Sequence, residues 1–310
     1  LNTRLKLKTK FLAGLYTNKI SLVKSDSKGD NKLTVDLLSM YRKNNTYLIN
    51  KDWELNKMNN RIDIDFEHKY TYTYGKGRVN LKLKSSTIGS AYNYNKIILE
   101  TKNIYNFRKL KVHTRNYLQL GTGSNWAEES KLGLAGANNE EMMDSKFTRS
   151  EGILSADYIY YDYSTNHFHQ SGGLNLRGYS GYLAPEFNED GTIESFNFNG
   201  TSGAAFNTEI DFTAYLPYTI RKNNIASYLF ADAGIISNEL LNKENYKTSF
   251  ADLRIDAGIG FTYTFKNFGP LETVKPIVIR LDMPLFLNRA PATDEDFLQM
   301  RWLIGINRLF

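Results

Sequence analysis

The chain has 310 residues, with 39 Lys and Arg against 33 Asp and Glu, a net charge of +6 and an isoelectric point near 9.1. No stretch approaches the ~18 consecutive apolar residues that a membrane helix needs, so helical membrane spanning is excluded, and the absence of Cys excludes disulfides and thiolate metal sites. The basic residues are scattered among acids rather than clustered, which argues for a charged, solvated surface and against nucleic acid as a partner.

The chain opens Leu1-Asn2-Thr3-Arg4, without an initiator Met or a basic-then-apolar leader, and reads as a mature chain or a fragment of a longer one. A first strand is expected around Lys10–Thr17. From Arg61 to Tyr74 the alternation is strict. Arg61, Asp63, Asp65, Glu67, Lys69, Thr71 and Thr73 fall on one face, and Ile62, Ile64, Phe66, His68, Tyr70, Tyr72 and Tyr74 on the other. After a Gly75-Lys76-Gly77 turn, Val79, Leu81 and Leu83 oppose Arg78, Asn80, Lys82 and Lys84. A strand with one charged and one apolar face suits either a soluble sandwich or a membrane barrel. Length and the tyrosines at strand ends favour the barrel, whose strands run about 9 to 11 residues and end in aromatic girdles.

Farther along, the polar stretch Gly121–Asn139, with Trp126, Glu128 and Glu129, reads as a long outer loop. The Tyr-rich segment Asp157–Tyr163 reads as interface girdle, with Asp157 and Asp162 on opposite faces and so unable to form an acid/base couple. In His167-Phe168-His169-Gln170-Ser171, the pair His167/His169 lacks a third metal ligand, and His169/Ser171 lacks the orienting group of a nucleophilic dyad; the segment reads as a polar strand rim. A second long loop spans 172–203. Strand patterns return at Phe206–Leu216, before a Pro217–Asn224 turn, then at Phe230–Gly234 and at Ile255–Phe265, before an Asn267–Lys275 turn. The end alternates Leu298, Met300, Trp302, Ile304, Ile306 and Phe310. With no internal linker, the chain reads as one domain over 1–310, an all-β transmembrane antiparallel barrel of about 16 strands.

Within the second loop stands Leu176-Arg177-Gly178-Tyr179. Glu209 and Pro217 follow, then Phe230-Ala231-Asp232-Ala233-Gly234, Gly258-Ile259-Gly260 and Arg280-Leu281-Asp282-Met283-Pro284-Leu285. In this order the motifs resemble the bacterial surface antigen superfamily, the barrels of BamA- and TamA-type assembly factors and of two-partner secretion transporters. The resemblance covers roughly the last 140 residues, and the earlier part matches only by its run of strands. It implies a loop folded into the lumen and a final strand, with Trp302, Ile304, Gly305, Ile306 and Phe310, that serves as a sorting signal; Arg308 departs from that signal's pattern.

Physical chemistry adds that Arg177 cannot shed its charge, so a buried guanidinium needs acids, and Glu209 and Asp232 are positioned to supply them. Leu176, Arg177, Gly178, Tyr179, Glu209 and Asp232 are therefore expected to form a lumen latch. The role implied is insertion or translocation of proteins at the outer membrane of a Gram-negative envelope. The partners would be outer-membrane lipids, client polypeptides or other assembly proteins, with no cofactor, metal, nucleic acid or enzymatic active site. Two alternatives stay open: a barrel that anchors a fused peptidase, phosphoesterase or lipase or serves as an accessory subunit of an assembly machine, and a passive porin.

Overall fold

A computed structural model describes residues 2–12, 14–43, 54–144, 167–181, 185–187, 193–218, 224–238, 249–265, 276–289 and 297–307. Seven long strands come first: β1 (Asn2–Leu12), β2 (Leu15–Ser25), β3 (Asn31–Arg42), β4 (Met58–Tyr72), β5 (Gly75–Ser86), β6 (Asn93–Phe107) and β7 (Leu110–Asn125). Short elements follow: β8 (Leu132–Gly133), helix α1 (Asn139–Asp144), β9 (Pro185–Phe187), β10 (Ile193–Phe196) and β11 (Asn199–Gly200). The remainder is β12 (Gly203–Asp211), β13 (Ile225–Asn238), β14 (Ser249–Phe250), β15 (Arg254–Thr264), β16 (Val278–Leu287) and β17 (Leu303–Ile306).

The described residues place 13 strands in one antiparallel sheet, in the order β1 to β7, then β12, β13, β15, β16 and β17, with β14 alongside β13. That is fewer than the even spacing of about 16 implied. Individual strands are long, up to 16 residues in β7, and a large excursion separates β7 from β12.

The distribution of side chains is that of a membrane barrel. Leu33, Phe66, Leu81, Leu99 and Leu118 are direct partners across five successive strands, and all are 37–40% exposed. A soluble sheet would bury such a row; lipid is the solvent that accepts it. The opposite face is charged and covered. Asp36, Asp63, Lys84 and Lys96 are cross-strand partners in series, and Asp36, Asp63 and Lys96 are buried. Their charges are matched locally, with Lys19 Nζ 2.6 Å from Asp36 and Arg61 Nε 2.8 Å from Asp63.

The tyrosines form a rim. Tyr70 and Tyr72 have ring centroids 6.1 Å apart, and Tyr72 and Tyr105 5.5 Å, beside the β4–β5 and β6–β7 turns. Three local expectations shift by a few residues. Lys10–Thr17 is a hairpin, because Gly14 at φ +78° supplies the left-handed turn between β1 and β2. Gly75-Lys76-Gly77 belongs to β5 rather than to the turn, with Tyr70 opposite Gly77 and Tyr72 opposite Gly75. Likewise Phe206–Leu216 is strand only as far as Asp211, whose carboxylate accepts from the Thr213 N–H at 3.0 Å and starts a 3-10 turn at Thr213–Tyr215.

β7 and β12 are hydrogen-bonded neighbours from Lys111↔Asp211 to Gln119↔Gly203. The described chain between them therefore leaves the sheet, and the excursion into the lumen starts at 126 rather than at 172. The stretch expected as an outer loop, Gly121–Asn139, divides in two: it continues β7 through Asn125 and then turns inward. Burial explains why. Leu132, Leu134, Leu174 and Leu176 of the excursion are all at most 2% exposed and pack against Ile98, Tyr117, Ala205, Ile236 and Leu287 of the wall. The apolar core of this barrel thus lies in its lumen. Each of these leucines contributes roughly 1.5–3 kcal/mol by leaving water.

Candidate functional site: a guanidinium latch in the lumen

The excursion descends along His167–Ser171, reverses at Gly172–Asn175 and returns through Leu176–Tyr179. Gly173 (φ +48°) and Asn175 (φ +59°) take the left-handed conformations that the reversal requires. The two halves of the plug are knitted by backbone hydrogen bonds. The Leu174 N–H donates to Gly133 O at 3.0 Å, Leu176 N–H to Leu134 O at 3.1 Å, and Leu134 N–H to Phe198 O at 2.9 Å. This scaffold presents a 3-10 turn at Arg177–Tyr179.

Arg177 has no solvent exposure. Its Nε donates to Asp232 Oδ2 at 2.8 Å and its Nη2 to Asp232 Oδ1 at 3.0 Å, a two-pronged grip that a planar fork alone can make. Nη1 donates to Glu209 Oε1 at 2.7 Å, and the guanidinium carbon lies 4.0 Å from the Phe230 ring centroid. Burial works against the charge, but Asp232, Asp282 and Glu209 outweigh it and hold the guanidinium above its ordinary range. Gly178 sits against β15, where an added Cβ would stand 2.5 Å from the Asp256 Cβ. The Tyr179 hydroxyl donates to Asn288 Oδ1 at 2.8 Å. The structure thus brings Arg177, Glu209 and Asp232 into direct contact, with Leu176, Gly178 and Tyr179 around them.

Several participants were not singled out from the sequence. Asp282 is 3.7 Å from Arg177 Nη1, pairs with Arg280 Nε at 2.9 Å and accepts from the Tyr228 hydroxyl at 2.5 Å. Asn207 donates to Asp232 Oδ1 at 3.1 Å and to the carbonyls of Leu174 and Asn175. Its position two residues before Glu209, on the same strand face, was the available signal. Arg115 donates to Gly173 O at 2.8 Å, and nothing near it in the sequence marks that role. Arg301 donates to the carbonyls of Gly178 and Ser180, tying the turn to the chain just ahead of β17.

His169 is the largest departure from expectation. Instead of lying on a polar rim, it is buried at 2% exposure. Its Nε2 faces Ala135 O at 2.7 Å, and its Nδ1 accepts from Arg280 Nη2 at 2.5 Å. Burial first and Arg280 second push its pKa down to about 3, so the ring is neutral and donates through Nε2. Arg280 Nη1 also donates to the Ser171 hydroxyl at 2.9 Å. Both ring nitrogens of His169 are thus committed away from Ser171.

A second anchor lies across the lumen. Arg61 of β4 grips Glu140 of α1, with Nη1 2.5 Å from Oε2 and Nη2 on Oε1. Arg61 and Lys84 overcome the burial penalty and hold Glu140 well below the usual carboxylate range. Nearby Glu129, accepting from Asn59 at 3.1 Å, is pushed up to about 7 by burial. Beside the plug remains a cavity of about 310 Å³ lined by Lys82, Lys84, Lys96, Lys102 and Arg115 among others.

At the chain end, Trp302 and Ile304 are exposed on the lipid side at 43% and 41%, with Gly305 and Leu303 turned inward. Ile306 is half-buried. Phe310 and Arg308 lie outside the described residues, as do Asp157, Asp162 and the Asn267–Lys275 turn.

No protein-family model matches the chain, and no curated protein matches it by sequence. Its fold is similar to the crystal structure of BamA from Haemophilus ducreyi lacking POTRA domains 1–3, with a TM-score of 0.54 and 12% identity. The match covers 94% of this chain and 54% of that one, so the chain spans about half the length of the structure it resembles. At that identity the likeness is one of fold, and the fold is a transmembrane β-barrel of the BamA type.

Proposed function

We propose that this chain is the membrane barrel of an outer-membrane protein that inserts or translocates other polypeptides. The observation that carries this reading is the fold, a BamA-type barrel whose lumen holds a plug latched through Arg177. β17 pairs with β16 from Ile279↔Ile306 to Asp282↔Leu303, and backbone hydrogen bonds continue the contact, from Asn307 N–H to Val278 O at 2.8 Å and from Leu287 N–H to Phe297 O at 3.0 Å. The edge of β17 that faces away from β16 is a place where a client strand can add by backbone hydrogen bonding. The latched plug supports the same reading: it occupies part of the lumen and braces the wall beside the final strands. The lipid-facing row supports residence in a bilayer, the outer membrane in this proposal, with lipids, client polypeptides or other assembly proteins as partners. The role calls for no bond chemistry in this chain.

The test is reconstitution into liposomes, with a urea-unfolded eight-stranded outer-membrane barrel as client. The expected result is client folding, read by its heat-modifiable gel band, at least several-fold faster than in empty liposomes. Equal rates, together with large steady conductance in planar bilayers, would replace this reading with that of a porin.

A further inference from the structure

The edge of β17 that faces away from β16 is already in use. The Ile304 N–H donates to His167 O at 2.6 Å, and the His169 N–H donates to Ile304 O at 2.8 Å. Phe168 is thereby bridged to Ile304 in parallel. Both outward backbone groups of Ile304 are consumed, so no other strand can pair with that residue while the segment is in place.

Side chains hold the segment there. The His167 ring stacks on Trp302, with centroids 3.7 Å apart and planes within 3°, and its Nδ1 lies 2.9 Å from Trp302 O. His169 is fixed from the lumen by Arg280 and by the Ala135 carbonyl. Gly305 makes room: a Cβ there would stand 2.6 Å from Arg280 Nη2 and 2.8 Å from His169 O. The same segment leads into the reversal that carries Arg177, so the seam and the latch are parts of one continuous stretch of chain.

We propose that His167–His169 is a built-in stand-in strand that fills the strand-adding edge of β17 and must leave before another polypeptide can add there. Among the described residues it offers two backbone hydrogen bonds to β17, whereas a membrane-spanning client strand of about 9–11 residues offers a full ladder. Its direction excludes sharing: the segment runs parallel to β17 through the same Ile304 groups that an added strand would need. The occupant of this edge in the resting protein is thus the chain itself, and the partner that replaces it is an extended polypeptide. The inference rests on the function proposed above, and two readouts keep the two apart.

The chain has no Cys, so a Phe168→Cys/Ile304→Cys variant carries a single candidate disulfide. In liposomes, mild oxidation is expected to close it in nearly all molecules. Client folding is expected to fall at least tenfold, and reductant to restore it. Failure of the disulfide to form, or its formation without loss of folding rate, overturns the inference while leaving the proposed function intact. The second readout needs no client. Ile304→Cys is oxidised in the presence of a labelled synthetic copy of residues 167–171 with cysteine at the Phe168 position. Capture is expected to be several-fold greater when His167→Ala is added to loosen the native segment. Equal capture overturns the stand-in strand even if the barrel folds no client.

Discussion

Replacing Arg177 with alanine should loosen the plug more than any single change on the barrel surface. Its guanidinium makes three charge-assisted hydrogen bonds of 2.7–3.0 Å to Glu209 and Asp232. All three groups have essentially no exposure. Each such bond is worth about 1.5–3 kcal/mol, but the cost of having brought the charges out of water offsets part of that sum. Removing one partner strands the others: Asp232 and Glu209 would be left as buried acids without this counter-charge, while Asp282 keeps Arg280 at 2.9 Å. That situation costs about 3–5 kcal/mol. For a chain of this size the loss corresponds to a fall of roughly 6–10 °C in the unfolding midpoint. The assay is the temperature at which the compact gel band of the detergent-solubilised barrel converts to the extended one. Arg177→Lys keeps the charge but not the fork and should fall between wild type and Arg177→Ala. Arg78→Ala, whose side chain is 40% exposed, should change the midpoint by no more than about 2 °C, since an exposed pair is worth at most ~1 kcal/mol. If Arg177→Ala matched Arg78→Ala, the latch would contribute nothing and the reasoning would be refuted.

Further outcomes follow from the same geometry. Gly178→Ala places a Cβ 2.5 Å from the Asp256 Cβ, an overlap with no flexible end to yield, and should cost about 1–3 kcal/mol; unchanged resistance of the plug to added protease would contradict this. His169 has a folded-state pKa of about 3 against roughly 6.5 when unfolded. Its contribution is complete above pH 6.5 and is lost as pH falls toward 3, because only the unfolded state takes up the proton. Wild type should therefore lose roughly 2–3 kcal/mol from this group between pH 7.5 and 4.5. His169→Gln should show a shallower acid slope in the same midpoint assay, and equal slopes would remove the histidine from the account. Leu99→Arg on the lipid face should cost about 2–4 kcal/mol in bilayers, as charge does near the midplane, whereas Lys102→Leu on the lumen face should fold normally.

The parts of the fold that were legible in the sequence are those where one face meets lipid and the next meets water. Arg61 to Tyr74 alternates with one mostly apolar face, on which His68 is the polar member, and β4 shows the polarity of a barrel from Arg61 to Phe66, with Arg61 and Asp63 buried and Phe66 exposed. The latch was legible because a loop arginine beside a glycine and a tyrosine is followed by strands with inward acids at Glu209 and Asp232. What sequence period could not reveal was the extent of the plug. Leu132 and Leu134 lie two apart, like a strand, yet they pair with Phe198–Gly200 and Leu174–Leu176 inside the lumen. His169 was misplaced for a related reason. A histidine between polar neighbours reads as exposed, and its true partners, Arg280 and Ala135 O, lie 111 and 34 residues away. Arg115 and Arg301 share that difficulty, since long-range contacts to backbone carbonyls leave no local mark.

The most direct test of the account is the accessibility of spin labels placed one at a time along β5, at Leu81, Lys82, Leu83 and Lys84, in the liposome-reconstituted chain. The account predicts a two-residue period: labels at 81 and 83 collide with dissolved oxygen as in lipid, while labels at 82 and 84 respond to a water-soluble paramagnet. Labels at 81 and 83 that are shielded from oxygen and packed against protein would contradict the membrane barrel itself.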